Sequence, residues 1–518
     1  MVPVQPLRAY VEELLGVHRL PGLALAVTDR EAIVASECFG YADLAAGTPV
    51  TPETYFEHGS IGKTFTAVLL LQLREQGLVE LDAPVTQYLP WFKVESEHAP
   101  ITIHDLLTHS SGLMIGADMS ADSRFDVWAL RETEVGFAPG SRFSYSNVGF
   151  RTLGFVIEEI TGMSYGEAVR SRILDTLGLR ATHSKITSDG RHRLAVGYER
   201  LHDDRPARRD DPWVPAPWLD TGTGDGSLAG TMEDLATFLR ALLNRGRGAL
   251  EPESYDLMTT AQIEAGEDGS AGYGIFLVDR AGRREIVHGG SMPGYQAMMA
   301  ADPEAGLGVA VAVNTGESTP VPESVAAVAL DLFREGKEPP AVPDPLAVEN
   351  AADFAGVYEG DAGRLELTAA GNRLLLAGEP LEPRGDDRFL APDARQALFL
   401  LELAREGDRI AEIYHGGDVY RREGADGSDP PASPAEWSAY PGHYRAYNPW
   451  YSNFRVVLRK GVLTVVFPWG AAWPLHPQDD GSFRVADDWS PERLRFDAVV
   501  DGAALRADYA GESYYRVP

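Results

Sequence analysis

The chain has 518 residues, too many for one ordinary domain, so two to four domains are expected. Its hydrophobic content of 44% is enough for real cores and excludes a disordered chain. A formal net charge of −31, with a pI near 4.7, repels phosphate backbones and anionic lipid, so neither nucleic acid nor a membrane surface is expected as a partner.

The opening MVPVQPLRAYVEELLGVHRL lacks a basic start and an apolar run. It reads as an amphipathic helix with Leu7, Val11, Leu14 and Leu15 on one side. Later apolar runs, such as GLALAV and GLGVAVAV, are strand-length and too short to span a membrane, so a cytoplasmic protein is expected. GLALAVTDREAIVASECFGYADL predicts two strands joined at TDRE. The one cysteine, Cys38, lies in the second strand. It rules out an internal disulfide and is expected to pack in the core. KTFTAVLLLQLREQG predicts a long apolar helix that stops at Gly77. NVGFRTLGFVIEEITG predicts another, with Phe150, Leu153, Ile157 and Ile160 at helical spacing and Gly162 as its stop. TMEDLATFLRALLNRG opens with a capping box of Thr231 and Asp234. GYGIFLVDRAGRREIVHGG predicts a hairpin turning at Asp279-Arg280-Ala281-Gly282. LGVAVAVN is a further strand after the turn Asp302-Pro303-Glu304-Ala305-Gly306. The outline over residues 1–335 is an α+β domain, a helical cluster beside an antiparallel sheet built from both ends of the segment.

Residues 336–350 are proline-rich with mixed charge and predict a linker; residues 424–437 predict a second. The segments after them, 351–423 and 438–518, resemble each other. FAGVYEG starts one and YPGHYRA the other, aligning Gly356 and Tyr358 with Gly442 and Tyr444. Each continues with two alternating strands, and VYRRE and YYRVP close them. Two small antiparallel β-barrels are predicted.

The chemistry concentrates in three short stretches. HGSIGKTF places Ser60 and Lys63 three apart, on one face of a helix start. There the serine gains free backbone amides and the helix dipole. A serine hydroxyl needs a nearby base, and a desolvated lysine can supply or tune one. Lysine is scarce, five against forty-one arginines, and no other lysine has a serine three before it, so the pair stands out. Next, Tyr145-Ser146-Asn147 follows a Pro-Gly turn and precedes a helix. The phenol can relay a proton and the amide can bond both lysine and a substrate carbonyl. Third, His288-Gly289-Gly290-Ser291 ends a strand whose glycines leave room for substrate at the edge. The amide of Ser291, with that of Ser60, would form an oxyanion hole.

Two of these motifs occur twice. Tyr451-Ser452-Asn453 enters a strand after the turn Asn448-Pro449-Trp450, and His415-Gly416-Gly417 is a tight turn between strands. Neither has a second Ser-x-x-Lys in its sequence neighbourhood, so both are expected to be structural. LHDDRPARRDD (201–211) reads as a solvated loop rather than a metal site. DTGTGDGSLAG (220–230) lacks the lysine of a phosphate loop and is expected to line the cleft or let backbone pack closely. His109 is expected to be structural. The loops 114–136 and 205–222 should shape the pocket.

The ordered set of S-x-x-K opening a helix, then Y-x-N, then H-G-G on a strand resembles the penicillin-recognising serine hydrolases, in particular the class C β-lactamase-like (peptidase S12) group. That group includes DD-peptidases, D-aminopeptidases, esterases and peptide-cyclising thioesterases. ITIHDLLTHSSGL (101–113), GLVELDAPVTQYLP (78–90) and GDGSLAGTMEDLATF (224–238) support the resemblance, which covers about residues 5–335. With two lipocalin-like barrels after the catalytic domain, the chain looks like the three-domain D-aminopeptidases. The resemblance implies Ser60 as acylated nucleophile and Lys63 and Tyr145 sharing proton transfer. Asn147 would position the substrate amide, and His288 would orient Tyr145 and the substrate. Gly289, Gly290 and Ser291 would line the substrate, and the reaction needs no cofactor or metal. Asp479 or Asp480, in HPQDDGSF, would meet a substrate ammonium, although Asp-Asp-Gly is also a good hairpin turn. A histidine at position 288, mostly neutral near pH 7, weakens recognition of carboxylates. The expected activity is therefore a D-stereospecific aminopeptidase or peptide amidase on a small-molecule or short-peptide substrate. A carboxylesterase or acyl-transferase, a β-lactamase or DD-peptidase, and a non-catalytic binding protein are the alternatives. A homodimer is also implied.

Overall fold

The computed structural model describes residues 4–116, 122–187, 190–219, 222–226, 228–266, 269–316, 319–385, 387–424 and 432–517. Half of the 424–437 linker, and parts of the loops 114–136 and 205–222, lie outside them. The chain divides into two compact units, Met1–Glu199 with Trp213–Val342, and Arg200–Pro212 with Pro343–Pro518. Among the described residues no helix is long and apolar enough to cross a membrane.

The first unit is built on a nine-stranded antiparallel sheet. Two neighbouring inner strands join the two ends of the segment, with Leu23 opposite Val313 and Val27 opposite Val309. Strand Gly22–Thr28 is buried along its whole length because helices cover both faces. One face carries Leu23, Leu25, Val27, Val309, Val311 and Val313. It packs on the N-terminal helix Gln5–His18, through Leu7, Tyr10, Val11 and Leu14, and on the helix Val321–Glu335. Each such side chain contributes about 1.5–3 kcal/mol on full burial. The other face carries alanines (Ala24, Ala26, Ala310, Ala312), which let the helix Met232–Leu243 approach closely. Leu15 is partly buried against the same core as its neighbours.

Helices Gly62–Glu75 and Asn147–Thr161 lie at the predicted places, the second ended by Gly162 in the left-handed conformation at φ 66°. The hairpin at residues 279–282 turns through Ala281 and Gly282, both at positive φ. Two local expectations change. Thr231 caps its helix by accepting from the Asp234 amide, but the Asp234 carboxylate accepts from the Ala181 amide and the Thr182 hydroxyl instead of closing a box. Cys38 is half-buried, not in the core, and burial pushes its thiol up to about 11, away from a reactive thiolate.

In the second unit, the eight strands from Gly442–Arg445 to Glu512–Val517 form a closed up-and-down barrel whose first and last strands pair. The preceding nine-stranded sheet, from Gly356–Gly360 to Asp418–Arg422, has as its edges Glu379–Pro380 and Glu382–Pro383. Only Leu381 separates these edges in the chain, so the sheet curls until it nearly closes. The repeated Gly-x-Tyr does the same work in both. Tyr358 and Tyr444 are fully buried, and each donates its hydroxyl to the carbonyl four residues earlier, Phe354 and Tyr440. Each tyrosine lies opposite an arginine of the last strand, Arg422 or Arg516. That arginine covers the bare face of Gly356 or Gly442.

Candidate active site

Ser60 sits in a single 3₁₀ turn, Gly59–Ile61, that runs directly into the helix Gly62–Glu75. Its amide is therefore among the unpaired donors at a helix start. Three glycines make room for this turn. Gly59 has φ +54°, and a Cβ there would lie 2.6 Å from the amide nitrogen and carbonyl oxygen of Ser291. A Cβ at Gly226 would lie 2.5 Å from the Gly59 oxygen and 3.0 Å from the Ser60 nitrogen. A Cβ at Gly290 would overlap the His58 carbonyl and come 3.1 Å from the Ser60 nitrogen. The backbone of the Gly290-Ser291 strand thus runs against the Ser60 turn.

Lys63 is one helical turn on and 0% exposed. Its Nζ donates to Ser60 Oγ at 3.0 Å, to Asn147 Oδ1 at 2.7 Å and to the Asp225 carbonyl at 2.6 Å. Three N–H bonds of an ammonium match three acceptors, which compensates its loss of water. The rings of Tyr145 and Phe150 lie 4.9 Å and 5.8 Å from Nζ, within cation–π range. Asn147 opens its helix, and its Nδ2 donates to Gly116 at 3.2 Å, which turns the amide oxygen toward Lys63. Ser146 caps the same helix by accepting from the Gly149 amide, and its hydroxyl donates to Met114. His109, at φ 56°, accepts from the Ser146 amide through Nδ1 and stacks on Tyr145 at 4.2 Å. It is the structural support expected of it. Burial, reinforced by the charge of Lys63, holds it well below the usual imidazole range.

Ser60, Tyr145, His288, Gly289, Gly290 and Ser291 line one cavity of about 400 Å³. His288 Nδ1 is 2.6 Å from the carbonyl oxygen of Gly289, and the ring packs at 5.3 Å from Phe276. Burial first, and the Lys63 charge second, push it down to about 3, so it stays neutral at physiological pH. Asp479 and Asp480 lie in the second unit, on the turn between strands Ala472–Pro477 and Phe483–Val485. The Asp480 carboxylate accepts from the amide and hydroxyl of Ser482 and pairs with Arg495 at 2.7 Å. These hydrogen bonds and the Arg493 and Arg495 charges hold it down at about 2. Among the described residues no group of three or more His, Cys, Asp or Glu is placed to hold a metal.

Three buried charges behind the site escaped the reading of motifs. Arg151 bridges Asp126 at 2.8 Å and Asp225 at 3.1 Å, and Asp225 supplies the carbonyl that Lys63 uses. Burial works to raise Asp225, yet the Arg151 and Lys63 charges prevail and keep it below its ordinary value. The signals were an arginine inside the apolar run NVGFRTLGF and the one acid within DTGTGDGSLAG that lies beside the glycine needed next to Ser60.

The second copies fall elsewhere. His415-Gly416-Gly417 is the turn between strands Arg409–His415 and Asp418–Arg422. Asn453 donates to the Asp203 carbonyl at 2.8 Å, and Ser452 donates to the Asp203 carboxylate at 3.1 Å. Loop 201–211 is consequently not simply solvated. Arg445 pairs with Asp203, Arg455 with Asp204, and Arg208 donates to the carbonyls of Ala391 and Pro392.

A family model described as Beta-lactamase matches residues 7–332. Penicillin-binding protein 4 of Amycolatopsis lactamdurans is 29% identical over 385 residues, covering 67% of this chain and 95% of that protein. Among solved structures, the octameric penicillin-binding protein homologue from Pyrococcus abyssi matches with a TM-score of 0.61 at 26% identity, over 80% of this chain and 99% of its own. The D-stereospecific amidohydrolase from Streptomyces sp. matches with a TM-score of 0.52 at 26% identity, over 61% of this chain and 95% of its own.

Proposed function

Because the chain belongs to the beta-lactamase family, we propose that it is a serine hydrolase working through an acyl-enzyme on small amides or peptides, with D-stereospecific aminopeptidase or peptide amidase as its activity. The observation that carries this reading is the fully buried Lys63 ammonium on Ser60 Oγ at the wall of a cavity. In the proposed reaction Ser60 Oγ attacks the substrate carbonyl through a proton relay shared by Lys63 and Tyr145: the Lys63 ammonium releases one proton through Tyr145 to the leaving amine and takes up the serine proton in its place. The Ser60 and Ser291 amides stabilise the oxyanion. Asn147 positions the substrate amide, and water then releases the acyl group. The likeness to a D-stereospecific amidohydrolase supports the choice of substrate. The neutral His288 disfavours the carboxylates of β-lactams and of DD-peptidase substrates.

A fluorophosphonate should label the wild type and not Ser60→Ala. D-alanine and L-alanine p-nitroanilides, a p-nitrophenyl ester and a chromogenic cephalosporin then sort the activities. Turnover of the L-anilide alone, or of the cephalosporin first, sinks the D-aminopeptidase reading. The octameric Pyrococcus homologue also supports a self-associating chain, which light scattering on the purified protein tests.

A further inference from the structure

The cavity at Ser60 has three ionisable side chains on its described walls, Tyr145, His288 and Glu323. Glu323 stands in the first turn of the helix Val321–Glu335, outside every motif of the sequence. It is exposed, and among the described residues it has no ion-pair partner. The Lys63 ammonium is fully buried, donates to Ser60, Asn147 and the Asp225 carbonyl, and is not among the residues that line the cavity. Burial keeps His288 uncharged. Glu323 is left as the one full charge on the described walls, among the apolar walls of Phe276, Ala297 and Met298. A cavity of about 400 Å³ is roughly 9 Å across, so a carboxylate on its rim lies within reach of any amino-acid-sized group whose carbonyl meets Ser60.

We propose that Glu323 is the specificity-determining anchor for a primary ammonium group, so that the site selects substrates carrying a free amine close to the scissile carbonyl and rejects carboxylates there. The proposal rests on the Ser60 acyl-enzyme reading. It assigns the amine to a residue of the catalytic unit, in place of the Asp479 and Asp480 pair. Opposite charges attract, and a substrate carboxylate beside Glu323 would meet like charge. The apolar walls suit a small alkyl side chain beside the amine. Two species carry such a group, the acyl donor and an acceptor amine, which must first pass its extra proton to Glu323 before its lone pair takes the acyl group in place of water.

The test compares D-alanine p-nitroanilide with its N-acetyl derivative in the wild type, Glu323→Gln and Glu323→Lys. In parallel, D-alaninamide competes with water for the acyl group of the N-acetyl substrate. The wild type should favour the free amine at least ten-fold in kcat/KM. That preference should fall at least five-fold in Glu323→Gln, through KM, and further in Glu323→Lys. If the aminolysis-to-hydrolysis ratio falls instead, the amine held at Glu323 is the acceptor's, and the selection of amine-bearing donors is overturned. A wild type that favours the acetylated anilide or cleaves neither, or variants that move neither ratio, overturns the role of Glu323. Fluorophosphonate labelling of Ser60 keeps the two readings apart. Labelling without amine preference defeats only the anchor, whereas absence of labelling defeats the serine mechanism beneath it.

Discussion

Tyr145-Ser146-Asn147 and Tyr451-Ser452-Asn453 share three letters and nothing of their setting. In the first, the asparagine presents its oxygen to a buried ammonium and the serine caps a helix. In the second, the asparagine presents its nitrogen to the Asp203 carbonyl and accepts on its oxygen from the His443 ring, while the serine bonds a carboxylate. An amide can serve either end of a hydrogen bond, so the triplet carries no chemistry of its own. The neighbours decide. Lys63 makes one copy a candidate for catalysis, and Asp203 makes the other a clamp on residues 200–212.

The sharpest way to break this contrast is to remove one hydroxyl from each copy. Tyr145→Phe should lower kcat on the preferred substrate by about 10²–10⁴-fold, the usual worth of a positioned proton relay. Tyr451→Phe should stay within about two-fold, since its ring packs at a barrel end beside Phe467 and Trp469. Steady-state kinetics on both variants decides it. Equal damage would make the second copy part of the machinery.

Next in size is the support behind the first copy. Arg151 is 2% exposed and holds two carboxylates. Arg151→Met would leave Asp126 and Asp225 without their shared cation and should cost about 3–5 kcal/mol in urea unfolding. Arg445→Met, which releases a more exposed partner at Asp203, should cost about 1 kcal/mol or less. The glycine doublets give a smaller pair. Gly290→Ala drives a methyl into the His58 carbonyl and should destabilise by about 1–3 kcal/mol while slowing Ser60 labelling. At Gly417 the nearest atom to a new Cβ is the Leu458 oxygen at 3.5 Å, ordinary contact, so Gly417→Ala should be nearly silent.

The sequence was most legible where one local rule governs a stretch. The helix stop at Gly162, the turn at Ala281-Gly282 and the duplicated Gly-x-Tyr each need only neighbours in the chain or one repeat. Ser60, Lys63 and Asn147 were legible as a set because their order and spacing are distinctive, and the structure brings the three side chains within hydrogen-bond distance. What stayed hidden depends on contacts between distant segments. Nothing local tells that Gly226 must lie bare against Ser60, that Arg151 faces two acids, or that Glu323 lines the cavity. Loop 201–211 was misread for the same reason. Its charges look solvated until Arg445 and Arg455 arrive from residues more than two hundred positions away.

A further expected effect is a titration, and its sign follows from burial. His288 is held down at about 3, His58 at about 4, and His109 well below the usual range, each chiefly by burial. In the unfolded chain all three return to about 6.5. Between the folded and unfolded values the unfolded state binds more protons. Their stability is therefore fully present above pH 6.5 and is lost as pH falls toward the folded values. By pH 5.5 each histidine should cost roughly 1 kcal/mol, before most carboxylates titrate. The thermal midpoint should drop between pH 7 and 5.5, and the drop should shrink by about one histidine's share in His288→Gln. For the same reason His288 should add no limb near pH 6.5 to the kcat/KM profile. A limb there that vanished in His288→Gln would mean the ring takes up a proton in the working enzyme. The cavity would then offer a cation to carboxylates, and the preference argued for amines would weaken with it.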